Sequence, residues 1–282
     1  MSTFVKIKAL KPSLSSSEAK LADFTLNSGA KIRSLSSVEL ARQAGVSQSS
    51  VVKFAQKLGY KGFPAFKLAV IDDLNLLTVQ PETTLTQITH TDPIHSIALK
   101  LLSHQQGILH ETHKLNDAEQ FEQAIVALKS ARKILLCAVG GSFTMAQDFA
   151  LKLQKIGLPA IAQTDELSAA SYIATMGKDD LLIAISDSGQ SKAVLRVARQ
   201  AKNNHCSILS LSRYGSNPLN ELACIKLFNV IGEEPVKHAS ILTRTSQSYL
   251  IDVLFTGLTQ SNLRWQKRAD KANEHVYDIR HS

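Results

Sequence analysis

Asp180-Leu181-Leu182-Ile183-Ala184-Ile185-Ser186-Asp187-Ser188-Gly189-Gln190-Ser191 is the stretch that decides the fold of this 282-residue chain. Its five apolar residues read as a buried parallel strand, and the Ser/Gly segment as the loop into which that strand empties. Residues 192–198 then mix polar and apolar side chains as a helix does. Hydroxyls from Ser186, Ser188 and Ser191, a tight turn at Gly189, and the free N–H groups and positive dipole of the helix start together suit a phosphate dianion. An ordinary serine-capped turn has the same outline. A second loop of this kind argues against it: residues 133–139 form another apolar strand, followed by Gly140-Gly141-Ser142 and a helix over 143–156. Two strand ends of one sheet, each delivering serine to a helix start, suit a phosphorylated metabolite at a topological switch point.

At these residues the chain resembles the sugar isomerase (SIS) domain family. The family pattern Ser-x-Ser-Gly-x-Ser/Thr stands as Ser186-Asp187-Ser188-Gly189-Gln190-Ser191, and Gly140-Gly141-Ser142 is similar to its first phosphosugar loop. The candidate effector site is therefore Gly141, Ser142, Ser186, Ser188, Gly189, Gln190 and Ser191, with Ser188 and Ser191 expected on the phosphate. Arg244 joins this set as a candidate. Both Arg213 and Arg244 could touch the ligand or a partner subunit, or be solvated or salt-bridged. Strands are expected at 160–163, 207–211 and 225–230, with helices at 167–176, 194–203 and 239–260. That alternation predicts an α/β fold with a doubly wound parallel sheet.

Charge is unevenly spread. Residues 1–77 carry 11 Lys/Arg against 5 Asp/Glu, and they hold most of the formal net charge of +8. A basic surface attracts polyanions, although scattered lysines are also an ordinary solvated face. No apolar run approaches the length needed to span a membrane, and the start lacks a signal-peptide core, so a cytoplasmic location is expected. Cys137, Cys206 and Cys224 are scattered and fit buried thiols rather than disulfides or a metal site. His104, His110 and His113 lie on one expected helix without nearby Cys or paired carboxylates, which makes a weak case for metal. No cofactor is expected.

Within the basic segment, Ser36-Ser37-Val38-Glu39 fits a capping box. A helix continues through Leu40, Ala41 and Ala44 and stops at Gly45; Ser47 starts a second helix through Val51, Phe54 and Leu58, ending at Gly59. Small Ala41 permits close crossing, and Val46, Val51 and Phe54 supply a shared core. This predicts an all-helical helix-turn-helix domain, supported by a helix at 18–26, with the second helix offered to the DNA major groove. Ser47, Gln48, Ser49, Val52, Lys53 and Gln56 are the expected groove-facing residues. Gln48 suits an adenine edge, Lys53 guanine or phosphate, and Ser47 and Ser49 phosphate. A helical hairpin packed only for structure is the alternative.

Helix-turn-helix followed by an SIS-like domain resembles the RpiR/MurR family of transcriptional regulators along essentially the whole chain. The residues carrying the resemblance are 47–54, 58–63, Phe66-Lys67, Thr243-Arg244-Thr245-Ser246-Gln247 and 250–255. They look nearest to members responding to N-acetylmuramic acid 6-phosphate. Expected domains are 1–77 for DNA, 78–110 as linker and connecting helix, and 111–282 for the phosphosugar. The resemblance implies a homodimer or homotetramer on a palindromic operator, with half-sites about one helical turn or a multiple apart. A phosphosugar would modulate it, most simply by relieving repression. An aldose–ketose isomerase is the competing reading. It needs a base over the sugar, for which Glu166, Glu233, Glu234 and His238 are candidates. A DNA-binding unit on the same chain favours a regulator without catalysis.

Overall fold

In the computed structural model, which describes residues 3–77, 88–230 and 239–281, the apolar run after Asp180 is β3 (Leu181–Ile185), the middle of a five-stranded sheet. Strands β1 (Ile134–Ala138) and β4 (Ser207–Arg213) flank it, with β2 (Ala160–Gln163) and β5 (Ile225–Asn229) at the edges. The order is β2-β1-β3-β4-β5 and every pairing is parallel. All residues of β1 and β3 are buried, as strands covered on both faces must be.

Alternation along these strands divides the core in two. Ile134, Leu136, Ala138, Leu181, Ile183 and Ile185 face α7 (Ala118–Ser130), α8 (Gly141–Lys155) and α12 (Ala239–Gln260) through Leu128, Phe149, Leu153, Leu250 and Leu254. Leu135, Cys137, Leu182 and Ala184 face α9 (Glu166–Ile173), α10 (Lys192–Asn203) and α11 (Pro218–Leu222) through Ile173, Val194, Val197 and Leu219. Each such Leu or Ile, fully buried, contributes about 1.5–3 kcal/mol over its exposed state. A final helix, α13 (Leu263–His281), is anchored to the first core by Trp265.

The chain divides into two compact units, Met1–Leu115 and Asn116–Ser282. The first is helical: α1 (Thr3–Leu10), α2 (Ser16–Ile32), α3 (Ser37–Ala44), α4 (Gln48–Lys57), α5 (Phe63–Leu77) and α6 (Ile94–Leu115). Its centre is Leu21, Ile32, Leu40, Phe54, Leu58 and Phe66. Phe66 meets Phe54 and Tyr60 edge-on, at 5.8 and 5.9 Å between ring centroids. Asp73 of α5 caps α1, accepting the backbone N–H of Thr3 and, at 3.2 Å, that of Phe4.

Several expectations need adjusting. The boundary placed between 110 and 111 falls inside the unbroken helix α6, which groups with the first unit. Helices α1, α5, α11 and α13 were not anticipated; α13 is polar on most sides and buries only Trp265, so it carries little apolar rhythm. Cys137 and Cys206 are buried, but Cys224 is exposed because it precedes an edge strand; all three are free thiols. Among the described residues no three His, Cys, Asp or Glu side chains gather to hold a metal ion. No described helix is long and apolar enough to cross a membrane.

Candidate functional site

The sheet order reverses between β1 and β3. The chain leaves β1 towards β2 on one side and β3 towards β4 on the other, and Ala138 stands beside Ile185 at the paired C-terminal ends. This is the crevice where open α/β sheets bind ligands. Gly141 and Ser142 open α8 on one flank, and residues 186–191 lead into α10 on the other.

The loop after β3 is held from beneath. Ser186 N–H donates to Leu211 O at 3.0 Å, and Gly189 N–H closes a turn onto Ser186 O at 3.0 Å. Gly189 has φ +67°, which the missing Cβ permits. Ser186 is buried, Ser188 and Ser191 are half-buried, and Gln190 is exposed, so the hydroxyls grade from floor to rim. Gln190 N–H donates to Ser188 Oγ at 3.2 Å, and Gln247 Nε2 of α12 donates to Ser142 Oγ at 3.1 Å. Each of these hydroxyls therefore spends an oxygen lone pair within the protein and keeps its hydrogen for an outside acceptor. A dianion, which only accepts, needs that polarity.

The helix ends agree. In the same unit α7, α9 and α11 are capped by Asp117, Asp165 and Asn217, whose side chains accept backbone N–H groups. Helices α8 and α10 start at Gly140 and Ser191 with no side-chain cap. Ser191 occupies the cap position without capping, against the ordinary serine-capped turn. Both of these uncapped starts lie at the crevice, where their N–H groups and positive dipole ends suit an anion.

Arg244 reaches this place as well, since a Cβ on Gly141 would lie 3.6 Å from its Cδ. Arg213 lies at the end of β4, where its backbone N–H donates to Asp187 O at 2.9 Å. Three participants escaped sequence reading. Asp187 points inward and accepts from Asn229 Nδ2 at 2.8 Å. Burial pushes its carboxyl above the usual range, against the Asn229 hydrogen bond and the Arg213 charge. Gln247 is fully buried behind Ser142. Asn217 packs against Gly189. For Asp187 and Asn217 the signal available in the sequence was a polar residue just beyond a strand, whereas Gln247 lies inside α12.

Of the isomerase base candidates, Glu233, Glu234 and His238 lie outside the described residues. Glu166 is described: the Arg196 guanidinium binds both its oxygens and holds its carboxyl below the ordinary value.

In the helical unit, α3 ends on Gly45 at φ +66°, with Gly45 N–H bonded to Arg42 O at 3.3 Å and Val46 N–H to Ala41 O at 2.9 Å. That pair of bonds is a Schellman stop. Ser36 and Glu39 form the capping box at the other end. Ser47 caps α4, accepting Ser50 N–H at 3.2 Å. Gln48 Nε2 reaches back to Ser37 Oγ at 3.0 Å, bringing the starts of α3 and α4 together. Ser47, Gln48, Ser49, Lys53 and Gln56 are exposed in one tract. Val52, expected with them, is half-buried beside the packed Val51 and Ala55. Val46 is likewise half-buried, whereas Val51 and Phe54 are buried as expected, in a core that also holds Leu40, Leu58 and Phe66.

Comparison with known proteins adds to this geometry. The helix-turn-helix domain model of the rpiR family matches residues 1–76, and the SIS domain model matches 127–257. The chain is 37% identical over 264 residues to the uncharacterized HTH-type transcriptional regulator YfhH of Escherichia coli (strain K12), covering 93% of this chain and 94% of that one. Its fold is similar to that of the Vibrio vulnificus NanR protein complexed with ManNAc-6P, at TM-score 0.61 and 24% identity over 98% of each chain. The sugar isomerase domain of an RpiR transcription factor from Sphaerobacter thermophilus is similar at TM-score 0.58 and 17% identity, covering 64% of this chain and 98% of that one.

Proposed function

Because the chain belongs to the RpiR family of helix-turn-helix transcriptional regulators, we propose that it is a repressor whose operator affinity is set by a phosphorylated amino sugar. The observation that carries the reading is the pair of uncapped helix starts at the β1/β3 crevice, each beside serine hydroxyls polarised to donate. Ser188 and Ser191 take the phosphate; Ser142, Ser186, Gly141, Gly189, Gln190 and Arg244 complete the pocket. The effector is an N-acetylhexosamine 6-phosphate. In support, the similarly folded NanR is complexed with ManNAc-6P, and the blocks 47–54 and 250–255 resemble members responding to N-acetylmuramic acid 6-phosphate.

On the DNA side, Gln48 and Lys53 of α4 read base edges while Ser47, Ser49 and Gln56 meet phosphates or groove walls, with Val52 against the thymine methyl or the backbone. A homodimer, or a homotetramer built from two, places two such helices on a palindromic operator in the cytoplasm. The protein binds the sugar phosphate without converting it. Glu166 supports this reading, since a carboxylate already committed to Arg196 is a poor proton acceptor. Sugar acts only through its difference in affinity for DNA-bound and free forms; a 100-fold preference is worth about 2.7 kcal/mol.

Fluorescence anisotropy tests this directly. Purified protein is titrated onto DNA from upstream of its own gene, with and without a panel of hexosamine and N-acetylhexosamine 6-phosphates. Tight, salt-sensitive binding released by one compound is the expected result. No specific DNA binding together with turnover of a sugar phosphate would replace the regulator by an isomerase.

A further inference from the structure

β5 is an edge strand, so one side of its backbone has no neighbouring strand. That side is covered by single side chains. Gln120 Nε2 donates to Lys226 O at 2.9 Å. Asn116 takes both groups of Phe228, donating from Nδ2 to its carbonyl at 2.8 Å and accepting its N–H on Oδ1 at 2.7 Å. Val230 N–H donates to Ser246 Oγ at 3.0 Å. The positions 226, 228 and 230 follow the two-residue repeat of a strand edge.

Asn116 differs from the other two in its place along the chain. It is buried, and it is the first residue of the second unit, directly after Leu115 ends α6. Its bidentate amide thus ties the junction between the units to the C-terminal end of β5. One residue further along β5 is Asn229, also buried, whose Nδ2 holds the Asp187 carboxylate at 2.8 Å. The Asn229 Oδ1 is buried with no partner among the described residues. Asp187 in turn lies between Ser186 and Ser188 in the candidate phosphate loop. Loop and junction are therefore linked through the Asn229 side chain and the Asn116 amide bound to the backbone of the neighbouring Phe228.

We infer that Asn116 is the positioning residue through which effector binding is passed to the DNA-binding unit. Phosphate drawn onto Ser188 and the start of α10 shifts the 186–191 loop and the Asp187 side chain with it. Asn229 follows its partner, the end of β5 moves, and the two-pronged grip of Asn116 carries that movement to the junction. Packed elements have discrete rather than continuously variable arrangements, so a small displacement at the loop selects between two placements of the junction. This rests on the regulator reading above and names how its sensing site is wired.

The test separates binding from coupling in the full-length protein. Sugar affinity is measured by calorimetry with N-acetylmannosamine 6-phosphate, or with whichever compound of the panel releases the wild type from DNA. Operator affinity is measured with and without that compound. Asn116→Ala should keep sugar affinity and sugar-free operator affinity within about threefold of wild type. The sugar-induced loss of operator affinity should collapse to below about threefold, against the roughly 5–150-fold typical of allosteric couplings. Gln120→Ala, which uncovers the same strand edge away from Asn229, should leave the response intact.

Asn116→Ala responding like wild type, or Gln120→Ala losing the response equally, overturns the inference while leaving the regulator reading in place. A wild type that binds neither operator nor any sugar phosphate overturns the regulator reading itself. Hydrogen exchange on the wild type settles the matter should Asn116→Ala not fold. Sugar phosphate should change protection at residues 110–117 and 226–230; unchanged exchange there overturns the inference.

Discussion

Gly189 and Asn217 are in such close apposition that a Cβ on the glycine would stand 2.0 Å from the Asn217 side-chain oxygen. That oxygen is already in use, accepting Asn220 N–H at 3.0 Å as the cap of α11. The loop after β3 and the loop after β4 are therefore built against each other, and the glycine is required twice, for its left-handed backbone and for its missing side chain.

Gly189→Ala should consequently be costly. The left-handed backbone alone is worth about 1–2 kcal/mol to a non-glycine residue, and Asn217 must give up its cap as well. A fall in melting temperature of about 4–8 °C is expected by calorimetry, with loss of sugar-phosphate binding and retained sugar-free DNA binding. A variant as stable as the parent would mean that the loop is not so constrained.

Gln247→Leu probes the orientation of Ser142. The substitution deletes the donor to Ser142 Oγ together with a buried amide oxygen that has no partner among the described residues. Stability should hold, because an unsatisfied buried acceptor disappears with the donor. Sugar-phosphate affinity should fall about fivefold to tenfold by calorimetry, in line with ~1 kcal/mol for one misdirected hydrogen bond. Ser188→Ala should weaken the sugar response more strongly. Unaltered affinity in both variants would remove the serine loops from the binding site.

On the helical unit, Lys53→Ala combined with Gln48→Ala should lower operator affinity at least tenfold and make log affinity less steep against log salt by about one. Sugar-phosphate affinity should stay unchanged. Gln48 makes its interhelical bond to Ser37 Oγ, so Ser37→Ala, which removes that bond and keeps the Gln48 amide, should separate loss of that bond from loss of base contact. If anisotropy finds the double variant binding like the parent, α4 is not the reading helix.

Asp180 gives a pH signature independent of function. Burial opposes its charge, but Arg132, donating at 2.8 and 3.1 Å, and the Gly177 N–H at 2.8 Å outweigh that and hold the carboxyl below its usual value. A depressed folded value means stability that is complete above the unfolded carboxylate range and is lost as pH falls through the folded one. Asp180→Asn should therefore melt below wild type at pH 7, with the two curves converging in acid. Parallel curves across pH 3–7 would show that the carboxylate is not held in its charged form.

Legibility in the sequence followed apolar content. Strands β1 and β3 are unbroken apolar runs ending in Gly and Ser, and a strand buried on both faces leaves just that imprint. The α3–α4 turn was legible because a capping box and a left-handed glycine are both local. That Val52 is half-buried was not legible, because helical spacing alone does not say how wide the packed stripe is. Asp187, Asn229 and Asn217 stayed hidden for a different reason. Their partners lie as far as 42 residues away in the chain for Asp187 and Asn229, and a polar residue at a strand end looks solvated until the fold shows what it meets. Helix α13, polar around most of its circumference, gave no period to read.

The side chains lying along β5 have one more effect, on what this molecule does in a crowd. A bare strand edge invites any extended segment to zip onto it, whatever its sequence, since backbone pairs with backbone. Here Gln120, Asn116 and Ser246 occupy that seam on one margin of the sheet, and on the other β2 offers only four residues. Neither margin gives a nascent or unfolding neighbour much to zip onto. Any encounter with another chain is thereby left to side chains, which read sequence where bare backbone does not.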